Sequence, residues 1–197
     1  MLLIAKFNCI VLTLILKRGE NMTGIKLYIA TSLDGFIARE NGSIDWLNEY
    51  ENSPETDYGY SKFYSSIGTV LMGRKTYEQV LGFGDWPYKE KKSYVFTRQK
   101  DPMSRENNVE FVSGDIGGFV RHLRENTEEG IWLVGGSQII KIFIERDLVQ
   151  DLIVFVVPII LGSGIPLFDH IGKEIKLRTG RIERYENGLV RLEYGIE

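Results

Sequence analysis

The stretch VLMGRKTYEQV, Val70 to Val80, decides how this chain folds. A short apolar run ends at Gly73, and Arg74, Lys75 and Thr76 then open a segment with helical spacing. A buried strand that passes through glycine into a helix leaves the free N–H groups of the first turn, and the positive end of the helix dipole, facing one point. Two cations and a hydroxyl at that point make a cradle for an anion such as phosphate.

The same transition recurs in GIWLVGGSQIIKIF, where a strand ends at Gly135-Gly136 and Ser137 starts a helix. Glycines there let the backbone approach a ligand closely. A third strand, KSYVFTR, ends in Thr97 and Arg98, and an arginine so placed can grip a further phosphate. Taken singly, each turn reads equally well as an ordinary strand-to-helix junction or a solvated helix start. Two cradles at strand C-terminal ends of one parallel sheet point to a dinucleotide. No G-x-G-x-x-G follows a strand, and GSG at Gly162 to Gly164 opens no helix, so the Rossmann fingerprint is absent.

Outward from these turns the chain alternates strand and helix. IKLYIAT (Ile25 to Thr31) is a strand, followed by a long loop with Asp-Gly and Asn-Gly turns. DYGYSKFYSSI places Tyr60, Phe63, Tyr64 and Ile67 on one helical face, with Asp57 in or beside the first turn. NVEFV is a strand, and the helix after it is capped by Asp115 and closed by Gly130. SQIIKIFIERDL turns Ile139, Ile140 and Phe143 inward, and QDLIVFVVPIIL is a strand halted by Pro158. Asn187-Gly188 between two alternating runs signals a hairpin. The expected architecture is a single α/β domain with a mostly parallel central sheet flanked by helices and a C-terminal antiparallel hairpin.

With 197 residues, 43% of them hydrophobic, the chain carries one full core. A net charge of −3, with lysine and arginine scattered, gives no footprint for nucleic acid. Cys9 is the only cysteine, and His122 and His170 lie far apart, so neither a disulfide nor a metal site is expected.

IATSLDGFIA, VLMGRKTYE, VFTR and LVGGSQIIKIFIERDLVQDLIVFVVPIILGSGIPLF stand in the order and rough spacing of dihydrofolate reductase-like proteins. The set more closely resembles the branch that shares the reductase domain of the riboflavin-biosynthesis deaminase/reductase, over Ile25 to Tyr194. The resemblance implies that Gly73, Arg74, Lys75 and Thr76 hold NADPH phosphates, that Thr97 and Arg98 lie toward the 2′-phosphate, and that Gly135, Gly136, Ser137 and Gln138 meet the pyrophosphate. It also implies that Ala30 and Ile37 line the nicotinamide, and that Ser32, Asp34, Trp46 and Tyr60 lie on the substrate side.

Asp57 precedes Met72 by the spacing of the single buried carboxylate of dihydrofolate reductases, which implies a catalytic acid. Burial among Tyr58, Tyr60 and Phe63 is expected to raise its pKa toward working pH. A dipole-stabilised aspartate at a helix start is the equal alternative for Asp57, a turn residue for Asp34 and a loop anchor for Trp46.

Ile44-Asp45-Trp46 departs from the leucine-proline-tryptophan of dihydrofolate reductases. FGDWPYKEK replaces the Asp-Pro-x-Leu run of the riboflavin-pathway reductases, and no deaminase zinc motif is present. The resemblance therefore implies a stand-alone, cytoplasmic NADPH-dependent reductase of a small heterocycle. Its nearest family activity is reduction of 5-amino-6-(5-phosphoribosylamino)uracil; dihydrofolate reduction, or non-catalytic binding of NADPH or a pteridine, are the alternatives. A homodimer through the C-terminal strands is a further expectation.

MLLIAKFNCIVLTLIL at the N-terminus is short of the roughly 20 residues of a membrane span and lacks the basic start of a signal peptide. Arg18-Gly19-Glu20 is encodable as a purine run resembling a ribosome-binding site ahead of Met22. Residues 1–21 are accordingly expected to be an upstream extension and the reductase domain to span 22–197. Mass spectrometry of the protein from its native source should show a chain beginning at Met22 or just after it. An intact Met1 terminus contradicts this.

Overall fold

The computed structural model describes residues 24–51, 56–99, 104 and 106–197. The expected start at Met22 lies outside the described residues. Six strands run parallel: β1 (Ile25–Ser32), β3 (Ile67–Gly73), β4 (Lys92–Phe96), β5 (Val109–Val112), β6 (Gly130–Gly135) and β7 (Asp151–Val157). The hairpin β9 (Leu177–Arg184) and β10 (Val190–Ile196) extends the sheet antiparallel, giving the order β5-β4-β3-β6-β1-β7-β10-β9. A small ribbon pairs β2 (Phe36–Ala38) with β8 (Ile165–Pro166).

Strands covered on both faces must be apolar at successive positions, and these are. Leu27, Leu71, Leu133 and Val154 turn to one face, under α4 (Ile116–Glu125) and α5 (Ser137–Glu145). Val70, Met72, Trp132 and Phe155 turn to the other, under α2 (Tyr60–Ser65), α3 (Arg74–Gly82) and a 3-10 turn (Asp45–Leu47) that leads into α1 (Asn48–Glu51). Helix α5 presents Ile139, Ile140 and Phe143 inward as its spacing predicts, all at 5% exposure or less.

Several boundaries differ from the sequence reading. Helix α2 has six residues, and Ile67 begins β3 instead of ending the helix, because the Ile67 side chain is fully buried in the sheet core. Asp115 stands before α4 but makes no side-chain cap hydrogen bond; Asn126 ends that helix, and Gly130 opens β6. The Asn187-Gly188 hairpin closes through a longer loop, with the Tyr185 N–H donating to the Leu189 carbonyl at 2.9 Å.

Phe143 is fully buried at the centre of the α5 contact, so Phe143→Ala should cost about 3–5 kcal/mol through lost contacts and the cavity left behind. Urea unfolding should show a lower midpoint at an unchanged slope.

Candidate nucleotide and substrate site

Strands β3 and β6 are neighbours, so the two glycine turns read from the sequence meet. Gly73 ends β3 and Arg74 to Thr76 form the first turn of α3; Gly135 ends β6 and Ser137 and Gln138 start α5. Gly135 and Gly136 are joined by a cis peptide bond. Gly73 lies against the Gly136 N–H and the Gly135 carbonyl, and a Cβ on Gly136 would come within 3.2 Å of Thr76 Oγ1. Two helix N-termini thus converge on one point, as an extended anion requires.

Two donors at these turns have no acceptor among the described residues. The Ser137 hydroxyl is buried and unpartnered, and so is Arg74 Nη1, while Arg74 Nε donates to Glu78 at 2.7 Å and the guanidinium lies over the Phe111 ring. A buried donor without a partner is costly, and an anion seated between the turns would satisfy both. Lys75 and Gln138 are exposed at the same rim. On the neighbouring strand Thr97 follows β4; its Oγ1 accepts the Gln99 N–H at 3.0 Å, and Arg98 is exposed beside it. The donors gathered at these turns are those of an anion site, with Arg98 a further cation at the end of the neighbouring strand.

Ala30 lies near the end of β1, and Ile37 sits on β2 and packs on the core. Ser32 and Asp34 brace the loop between β1 and β2. The Ser32 hydroxyl donates to Asp34 Oδ1 at 2.6 Å and accepts the Phe36 N–H at 2.9 Å. Asp34 accepts the N–H groups of Leu161 at 3.1 Å and Gly162 at 2.7 Å, clasping this loop to the one after β7. The Ser32 hydroxyl and those two N–H groups hold the Asp34 carboxyl below the usual range.

Asp57 departs from expectation. Its carboxylate is exposed, not buried, and accepts the N–H groups of Gly59 at 2.9 Å and Ser61 at 3.0 Å at the start of α2. The Ser61 hydroxyl and these N–H groups hold its pKa below the ordinary value, the opposite of the raised value an acid catalyst needs. The helix-start alternative is the one realised. Tyr60 opens α2 and stacks on Tyr64, its edge toward Trp132. Trp46 is buried in the 3-10 turn, with an indole N–H that has no acceptor among the described residues.

The sequence reading passed over the group that anchors Tyr58, next to Asp57. Arg191 on β10 lies over the Phe155 ring, pairs with Glu193 at 2.6 Å and donates to the Tyr58 carbonyl at 3.3 Å. Asn187 donates to the Tyr58 hydroxyl at 2.6 Å, and Tyr185 meets the Tyr58 ring edge-on. The Tyr28 hydroxyl lies in this neighbourhood; burial drives its pKa up, with Tyr185, Tyr60 and Asp57 adding to the rise and Arg191 opposing it. The one signal in the sequence was the polar alternate set Arg191 and Glu193 in a strand whose other face is apolar, which an exposed edge strand shows equally.

A sheet of this order with converging strand-to-helix turns defines the dihydrofolate reductase-like class. Within it the chain belongs to the RibD C-terminal domain family, which it matches over residues 24–191. It is 42% identical over 169 residues to the uncharacterized protein YwjB of Bacillus subtilis (strain 168), covering 85% of this chain and 95% of that one. A crystal structure of a protein named for riboflavin biosynthesis from Shewanella sp. PV-4 superposes with a TM-score of 0.82 at 28% identity, over 89% of this chain and 99% of the other. Dihydrofolate reductase from Enterococcus faecalis, complexed with NADP(H), shares the fold at a TM-score of 0.58 and 17% identity, over 89% of this chain and 98% of its own. The chain is thus a reductase-like domain. No helix among the described residues is long and apolar enough to cross a membrane.

The Asp34 clasp has a pH signature. Its lowered pKa means that the folded state binds fewer protons than the unfolded chain below about pH 4, so its contribution to stability is present above that pH and is lost as pH falls through the folded value. Urea unfolding at a series of pH values should show a shallower acid decline for Asp34→Asn than for the parent. Equal slopes contradict the clasp.

Proposed function

We propose that this protein is an NADPH-dependent reductase acting on a C=N or similar bond of a small heterocycle. The observation that carries the reading is the pair of buried donors without acceptors among the described residues, Arg74 Nη1 and Ser137 Oγ, at two adjoining helix starts. Arg74 and the first turn of α3 would hold one phosphate and the turn at Gly135 to Gln138 the pyrophosphate. Arg98, exposed at the end of the neighbouring strand, would meet a 2′-phosphate, which is the reason for preferring NADPH to NADH. Ala30 and Ile37 would flank the nicotinamide. When bound, the cofactor supplies the hydride.

The chain's own residues supply position and electrostatics. Asp57 is ionised at neutral pH and serves as a fixed acceptor for an N–H of the substrate, aimed by its hydrogen bonds to the start of α2. This replaces the acid role expected from the sequence. The same geometry favours one rival, a protein that binds NADPH without turning it over. Asp57→Asn separates the two: loss of NADPH oxidation with unchanged NADPH affinity supports the reductase.

Calorimetric titration with NADPH and NADH is the direct test. NADPH should bind more tightly, and Arg74→Ala should weaken it by roughly 10-fold or more, the loss of a charge-assisted hydrogen bond. Failure of both nucleotides to bind would sink the reductase reading.

A further inference from the structure

At the C-terminal end of β7 lies a cavity of about 390 Å³, within the size range of small-molecule sites. Arg39, Asp45, Trp46, Glu49 and Tyr50 line one side, and the chain leaving β7 at Val157 to Ile159 lines the other. Val157 is in register with Ser32, so the cavity adjoins the end of β1, close to Ala30. Trp46 is only 7% exposed, yet its N–H meets no acceptor among the described residues. Buried indole N–H groups ordinarily have a partner, so this one points to a ligand that brings an acceptor.

Deeper on the same sheet face, aromatic rings already fill the space. Tyr28 stacks on Phe63 with ring centroids 4.1 Å apart, and Phe155 and Trp132 close around the pair at 4.9 and 6.0 Å from Tyr28. No further ring can enter between them at van der Waals contact. The cavity beside Trp46 offers space that this filled layer does not.

The charges of this cavity select among heterocycles. Arg39 is the one cation among its described lining residues, and both Nε and Nη2 of Arg39 are engaged by Asp45, at 2.7 and 3.0 Å. Ser43 donates to the same carboxylate at 2.7 Å, and Glu49 adds a second negative charge. A phosphate placed here would face two carboxylates and one guanidinium that is already paired, a like-charge juxtaposition that acts against binding. Tyr50 keeps its proton throughout the neutral range, since burial and the adjacent Glu49 push it up to about 12.

We infer that the cavity beside Trp46 receives the substrate ring, and that this substrate is a planar, unphosphorylated heterocycle whose acceptor atom pairs with the Trp46 N–H. The inference rests on the reductase reading and sharpens it, since the nearest family activity acts on a phosphoribosylated ring.

The test is calorimetric titration of the full chain, under anaerobic conditions, with 5-amino-6-(ribosylamino)uracil and with its 5′-phosphate, each with and without NADPH. The unphosphorylated compound should bind, and its phosphate should bind roughly tenfold more weakly or worse. Trp46→Phe, which keeps a ring and removes the N–H, should weaken the unphosphorylated compound by roughly tenfold. Ile159→Trp, which fills the cavity, should abolish its binding. NADPH titration of each variant reports whether the nucleotide site is intact. Three results overturn the inference while NADPH binding persists: no binding of the unphosphorylated ring, tighter binding of the phosphate, or indifference to both substitutions. Cavity binding that responds to both substitutions in a protein that fails to bind NADPH supports the cavity and removes the reductase reading instead.

Discussion

Two strand-to-helix turns touching through glycine is the contact on which the rest of the site depends. Gly136 lies under the Thr76 hydroxyl, and Gly73 lies against the backbone of Gly135 and Gly136. A side chain at Gly136 would crowd Thr76, and its displacement would separate the first turns of α3 and α5. With glycine there, the two helix dipoles converge and leave Arg74 and Ser137 with unmatched donors at the same place. The parallel sheet makes this possible, because it delivers β3 and β6 side by side with their C-terminal ends level.

The substrate half is assembled differently. It draws on the 3-10 turn at Trp46, the start of α2 and the C-terminal hairpin, elements far apart in the chain. Asp34 ties the loop after β1 to the loop after β7, and Arg191 with Asn187 ties the last hairpin to Tyr58. Each tie uses a charged or amide side chain to satisfy loop backbone or a neighbouring hydroxyl. Asp57 itself is held locally, by the N–H groups of Gly59 and Ser61, while the long-range ties fix the loop after β1 and the neighbouring Tyr58, and the aromatic layer of Tyr28, Phe63 and Phe155 limits the depth available to a ligand.

This contrast explains what the sequence made legible. The parallel strands, the inward face of α5 and both glycine turns follow from local pattern, since apolar runs, helical spacing and glycine at a junction each have a short-range physical cause. Asp57 was the misleading case. Its spacing to Met72 suggested a buried carboxylate, but burial depends on tertiary packing, and Ser61 and Gly59, only a few residues on, captured the carboxylate at the helix start. Asp34 accepts from Leu161 and Gly162, more than a hundred residues away, a pairing that no local pattern announces. Arg191 was not singled out at all, since a polar residue in a terminal strand looks the same whether that face meets solvent or a helix start.

The most direct measurement is a crystal structure of the protein grown with NADPH. It should place the nucleotide phosphates between the Gly73 to Thr76 turn and the Gly135 to Gln138 turn, with oxygens within hydrogen-bond distance of Arg74 Nη1 and Ser137 Oγ. NADPH seated elsewhere, with both donors still unmatched, would contradict the shared cradle and the account built on it.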